Sequence, residues 1–130
     1  MKILIVCDLN FARSITTAYV LKKKVREKGL DMTIETAGLF DSKKKRNHLE
    51  NICYYLKKYV PLFKTHKLTK EKVNDADIIY VMNNEMKEEI VHKYKYPEAK
   101  VYNLNISSRY WFPYTPRLIE RIEEALLGHI

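Results

Sequence analysis

The chain opens on an almost continuous apolar run, "KILIV" (Lys2 to Val6), the pattern of a strand buried on both faces of a parallel sheet. Past a short polar stretch, Ala18, Leu21 and Val25 recur at helical spacing. The lysines of "LKKKVREK" gather where a helix C-terminus favours positive charge, and Gly29 supplies a stop. "MTIETAG" (Met32 to Gly38) carries β-branched residues and a closing glycine, so a second strand is expected. "ADIIYVM" (Ala76 to Met82) is the clearest later strand and "KVYNL" (Lys100 to Leu104) a shorter one. Between the strands, "HLENICYYLKKY" and "NNEMKEEIVHKY" read as helices, and Leu118, Ile119, Ile122, Ala125 and Leu126 form the apolar stripe of a C-terminal helix. Alternation of this kind predicts an α/β three-layer sandwich around a four-stranded parallel sheet with right-handed crossovers. Ligands of such sheets bind beyond the carboxyl ends of the strands, where the stretch from Cys7 to Arg13 falls.

Composition narrows the class. At 130 residues, with 46% hydrophobic and 31% charged residues, the chain fits one domain over residues 1–130 with its own core. No apolar run approaches the ~18 residues that span a bilayer, and "MKILIVC" is too short for a secretory signal. A cytoplasmic protein with free thiols at Cys7 and Cys53 is therefore expected. The net charge of +8 favours anionic partners. "SKKKRNH" (Ser42 to His48) concentrates that charge, either as a solvated loop or as a basic rim that attracts phosphate-bearing molecules.

The chemistry centres on "VCDLNFARSITTA" (Val6 to Ala18). A loop between a buried strand and a helix points backbone N–H groups at one spot, and the helix dipole adds positive potential, so an oxyanion fits there. The loop residues Asp8, Leu9, Asn10, Phe11 and Ala12 would form this phosphate-binding cup, with Asn10 tying the loop to itself through its amide. The same N–H groups and a neighbouring cation stabilise a thiolate, which makes Cys7 the candidate nucleophile. Arg13 can grip two oxygens of a phosphoryl group in bidentate fashion, which lysine cannot. Ser14 can donate a hydrogen bond to the sulfur and ease its departure from a phospho-enzyme.

"ILIVCDLNFARS" resembles the strand and C-x5-R-S phosphate loop of low-molecular-weight protein tyrosine phosphatases. "ETAG" (Glu35 to Gly38) resembles that family's S-A-G strand end, and "THKLTKEKVNDADIIYVMNNEMKEEI" (Thr65 to Ile90) its third crossover and strand. The resemblance implies a four-stranded parallel sheet and metal-free, cofactor-free hydrolysis through a cysteinyl-phosphate, with Cys7, Arg13 and Ser14 as catalytic residues. It implies that a phosphorylated protein or a small aryl phosphate is the partner. Tyr110, Trp111 and Tyr114, in the aromatic cluster "RYWFPY" (Arg109 to Tyr114), would wall the substrate cleft, or else pack the loop onto the sheet or cover an interface. An aromatic, basic surface can also stack on bases, but no glycine-rich or RNP-like signature accompanies it, so nucleic acid is disfavoured as a partner. The four histidines show no metal spacing, and a monomer or weak dimer is expected.

Two departures matter. The family's general acid is an aspartate after the fourth strand, but "NLNISSRYWFPYTPRL" (Asn103 to Leu118) holds none, and the last aspartate in the chain is Asp77. Ser108 stands at the acid position of a compact branch of the family, and a serine cannot protonate a leaving group near neutral pH. Asp8 and Asp41 are the spare carboxylates. Asp8 would repel a dianion held in the cup, so its side chain is expected to point outward. Ala12 replaces a cysteine found in many relatives, which removes a protective disulfide. A catalytically impaired relative that binds phosphorylated partners is the alternative reading, and a phosphocysteine carrier is disfavoured by Arg13. Arsenate reduction, which shares the architecture, needs further cysteines downstream.

Overall fold

The computed structural model describes residues 1–8, 12–39, 67–110 and 114–129. Strand β1 (Lys2–Cys7) is buried from Ile3 onward, as its unbroken apolar run requires. Helix α1 (Arg13–Glu27) follows, with Lys24 and Arg26 in its last turn. Its end is a Schellman turn: Gly29 takes φ +64, its N–H donates to the Arg26 carbonyl at 3.2 Å, and the Leu30 N–H donates to the Val25 carbonyl at 3.0 Å. A side chain at Gly29 would meet no neighbour, so the positive φ alone selects glycine there.

Strand β2 (Thr33–Gly38) lies beside β1 in parallel register, Lys2 opposite Thr33 and Cys7 opposite Gly38. The short helix α2 (Lys70–Asp75) starts at Thr69, whose hydroxyl accepts from the Lys72 N–H. Strand β3 (Ile78–Val81), helix α3 (Asn84–Lys93), strand β4 (Val101–Asn103) and helix α4 (Pro116–Ala125) complete the described elements, together with one 3₁₀ turn at Glu98–Lys100. Asn83 and Thr115 cap α3 and α4 with side-chain oxygens, and Pro116 opens α4 where a missing N–H costs nothing.

The four strands form one all-parallel sheet in the order β2-β1-β3-β4. The chain moves one way from β1 to β2 and the other way from β3 to β4, so the direction switches between β1 and β3. Helices α1 and α4 pack against each other, and Leu118, Ile122 and Leu126 are fully buried. Ile3, Leu4, Ile5 and Ile79 fill the middle of the core. The expected four-stranded parallel α/β fold is therefore present, with β3 and β4 shorter at their ends than the apolar runs that announce them. The helix expected over "HLENICYYLKKY" and the basic run from Ser42 to His48 lie outside the described residues.

Candidate active site

A crevice outside the carboxyl ends of the strands, at the switch point, is where an open parallel sheet binds ligands. Cys7 ends β1 there and is 3% exposed. The Leu39 N–H donates to its carbonyl at 3.0 Å, which fixes the backbone of Cys7 to the end of β2. Its Sγ donates to Ser14 Oγ at 3.1 Å. When the thiol gives up its proton, the hydroxyl can turn and donate to the sulfur instead.

The first two turns of α1 carry the site. Among the described residues the buried polar or charged side chains are Arg13, Ser14, Thr16 and Thr17, all at this one helix end. Polar groups are not buried together without partners. Thr16 Oγ1 donates to the Ala12 carbonyl at 2.6 Å and accepts from the Tyr114 N–H at 3.0 Å, while Thr17 Oγ1 donates to the Arg13 carbonyl at 2.7 Å. Ala12, at the N-cap, supplies no capping side chain, and no acidic residue stands in the first turn. The positive end of the helix dipole thus has no compensating side chain within the helix itself.

Arg13 joins this helix end to the segment after β4. Its Nη1 donates to the Ile106 carbonyl at 2.9 Å and its Nη2 to Asp8 Oδ2 at 3.2 Å. The segment is held in turn by the sheet: the Leu104 N–H donates to the Val81 carbonyl and the Ile106 N–H to the Met82 carbonyl. Arg121 of α4 donates to the Asn105 carbonyl at 2.9 Å, and Asn105 takes φ +52, a left-handed conformation that asparagine tolerates. Ser107 and Ser108 are exposed, and Tyr110 is half-buried with the Arg109 guanidinium over its ring.

At the junction of β1 and α1, Cys7 therefore meets Ser14 and Arg13 meets Asp8. The Asp8 side chain, expected to point outward, is part-exposed and paired with Arg13, because the guanidinium offers it a partner. Among the described residues it is the carboxylate paired with this machinery. Leu9, Asn10, Phe11, Trp111 and Asp41 lie outside the described residues. Thr16 and Arg121 were not singled out in the sequence. The signal for Thr16 was a polar residue on the core-facing side of α1; the backbone partner of Arg121 leaves no trace in the sequence. No group of three or more His, Cys, Asp or Glu side chains gathers among the described residues, and none of their helices is long and apolar enough to cross a membrane.

The family model for low molecular weight phosphotyrosine protein phosphatase matches residues 2–109. The chain belongs to this family. Its fold is shared with solved phosphatases at low identity. A mutant of the YwlE arginine phosphatase with a phosphorylated active site serine superposes with a TM-score of 0.70 at 22% identity, covering 97% of this chain and 91% of the other. The solution structure of a low molecular weight protein tyrosine phosphatase from Bacillus subtilis gives 0.66 at 21%, covering 98% and 97%. Wzb from Vibrio vulnificus in complex with benzylphosphonate gives 0.67 at 19%, covering 98% and 95%. No curated protein sequence matches the chain.

Proposed function

We propose that the protein hydrolyses phosphotyrosine or other aryl phosphate monoesters through a cysteinyl-phosphate on Cys7. The observation that carries this reading is the convergence of a buried thiol, a hydroxyl 3.1 Å from it and a buried guanidinium at the uncapped start of α1. In the first step the Cys7 thiolate attacks phosphorus in line, and the S–P bond forms as the P–O bond to the aryl group breaks. Arg13 and the N-terminal end of α1 take up the charge on the equatorial oxygens. In the second step water attacks the same phosphorus, inorganic phosphate leaves, and the sulfur departs as a thiolate that Ser14 can stabilise by hydrogen bonding.

Two relatives support the reading. The YwlE arginine phosphatase mutant carries a phosphorylated serine in its active site, a phosphoryl group held covalently by the enzyme as this route requires. The benzylphosphonate in Wzb carries an aromatic ring on a phosphonate.

The described segment after β4, residues 104–110, carries no carboxylate to protonate the leaving oxygen. Loss of general acid catalysis costs about 10²–10⁴-fold, and the cost falls on poor leaving groups. Activity should therefore depend steeply on the acidity of the leaving phenol. If no turnover occurs at all, the site serves to bind phosphorylated partners. A burst assay with p-nitrophenyl phosphate decides between them. Turnover abolished by Cys7→Ser supports hydrolysis, whereas a stoichiometric burst with no steady state would leave only phosphoryl binding and transfer to the enzyme.

A further inference from the structure

The residue that follows the nucleophile is an acid, and it sits on the arginine. Arg13 is 7% exposed in its side chain and Asp8 41%, so the carboxylate reaches the buried guanidinium from the solvent side. Nη1 is held from the protein side by the Ile106 carbonyl. Nη2, which Asp8 engages, is the nitrogen common to both edges by which a guanidinium can grip an oxyanion through two parallel hydrogen bonds. A phosphoryl group entering the fork thus meets the carboxylate either as a rival for the same N–H or as a like charge beside it.

We propose that Asp8 is a positioning residue: a resident anion that occupies Arg13 in the free protein, yields it to the incoming phosphoryl group, and reclaims it as phosphate leaves. The inference rests on the phosphoryl-binding reading of the site. Its consequence is a cost shared by every phosphoryl anion that enters the fork, product phosphate included, because each must displace Asp8 from Nη2 or sit beside its charge. Asp8 therefore lowers the affinity for free phosphate, and product inhibition is weak even though the cup is built for the phosphoryl group.

Calorimetric titration of inorganic phosphate into the full chain and its Asp8→Asn and Asp8→Glu variants, at one fixed pH and ionic strength, tests this. Removing the carboxylate charge at nearly constant shape should tighten phosphate binding about tenfold, and Asp8→Glu should leave it weak. With p-nitrophenyl phosphate as substrate, the same Asn variant should show a lower phosphate inhibition constant, with the change in KM exceeding the change in kcat. A purely structural role for Asp8 predicts the opposite sign: weaker binding in the Asn variant, restored by glutamate. Unchanged or weaker phosphate binding by Asp8→Asn, with wild-type binding intact, overturns the role of Asp8 and leaves the site reading standing. Absence of phosphate binding in all three proteins overturns both.

Discussion

Arg13→Lys separates what the arginine does for the fold from what it does for chemistry. Its guanidinium spans two partners, the Ile106 carbonyl at 2.9 Å and Asp8 at 3.2 Å, from a side chain almost closed to water. An ammonium is a point donor on a shorter stem and cannot serve both. If the buried carbonyl loses its donor, the cost is about 1–3 kcal/mol, while the part-exposed Asp8 pair adds at most ~1 kcal/mol. For a domain of this size each kcal/mol lowers the thermal midpoint by roughly 3–5 °C. Catalysis should suffer far more, because a lysine cannot reproduce the fork on the equatorial oxygens; a fall on the order of 10²–10³ in kcat/KM is expected. Circular dichroism gives the midpoint, and steady-state kinetics with p-nitrophenyl phosphate, run well below it, give the rate. A lowered midpoint with kcat/KM unchanged would refute the reasoning, because Arg13 would then only tie α1 to the segment after β4.

Ser14→Ala should keep the phosphoryl burst and slow the steady state about tenfold, the worth of one hydrogen bond to a charged sulfur, read by rapid quench; an unchanged steady-state rate would show that the hydroxyl merely fills space. Thr115→Ala removes the oxygen that accepts from the Leu118 N–H and should cost about 1 kcal/mol in urea unfolding, through the packing of α4 on α1. Alkaline pH should destabilise the fold through two buried tyrosines. Burial, aided by Tyr102 for Tyr80 and by Asp77 for Tyr96, raises both phenols above their usual 10.0. Since the folded state holds these protons longer, their contribution is complete below pH 10 and is lost as pH rises from there through the folded values. Tyr96→Phe, which also loses the 2.8 Å bond to the Ala76 carbonyl, should be less stable by about 1 kcal/mol at pH 8 yet decline less steeply above pH 10 in the same urea titration. An equal slope in both proteins would count against the tyrosine assignment.

Periodicity carried the fold because burial imposes it directly. The unbroken run at Lys2 to Val6 could only be a strand covered on both faces, and the stripe from Leu118 to Leu126 could only be a helix seated on the core. Helix α2 had no such voice: six residues with one fully buried side chain, Val73, are too few to show a period, and only the Thr69 cap marks its start. Within the site, the nearness of Cys7, Arg13 and Ser14 was legible because thiol, guanidinium and hydroxyl sit on one short loop-to-helix junction. The contact of Arg13 with Ile106 was not, because it joins residues 93 positions apart through a backbone carbonyl that any side chain could have carried. The pairing of Asp8 with Arg13 was not legible either, because repulsion from a bound dianion says nothing of which cation the carboxylate meets.

The account stands most directly on the covalent intermediate. Intact-mass spectrometry of the protein quenched during turnover of p-nitrophenyl phosphate, followed by peptide mapping, should find one added phosphoryl group on Cys7 and none in a Cys7→Ala variant that no longer turns over. A phosphoryl group on another residue, or turnover that survives in Cys7→Ala, would contradict it.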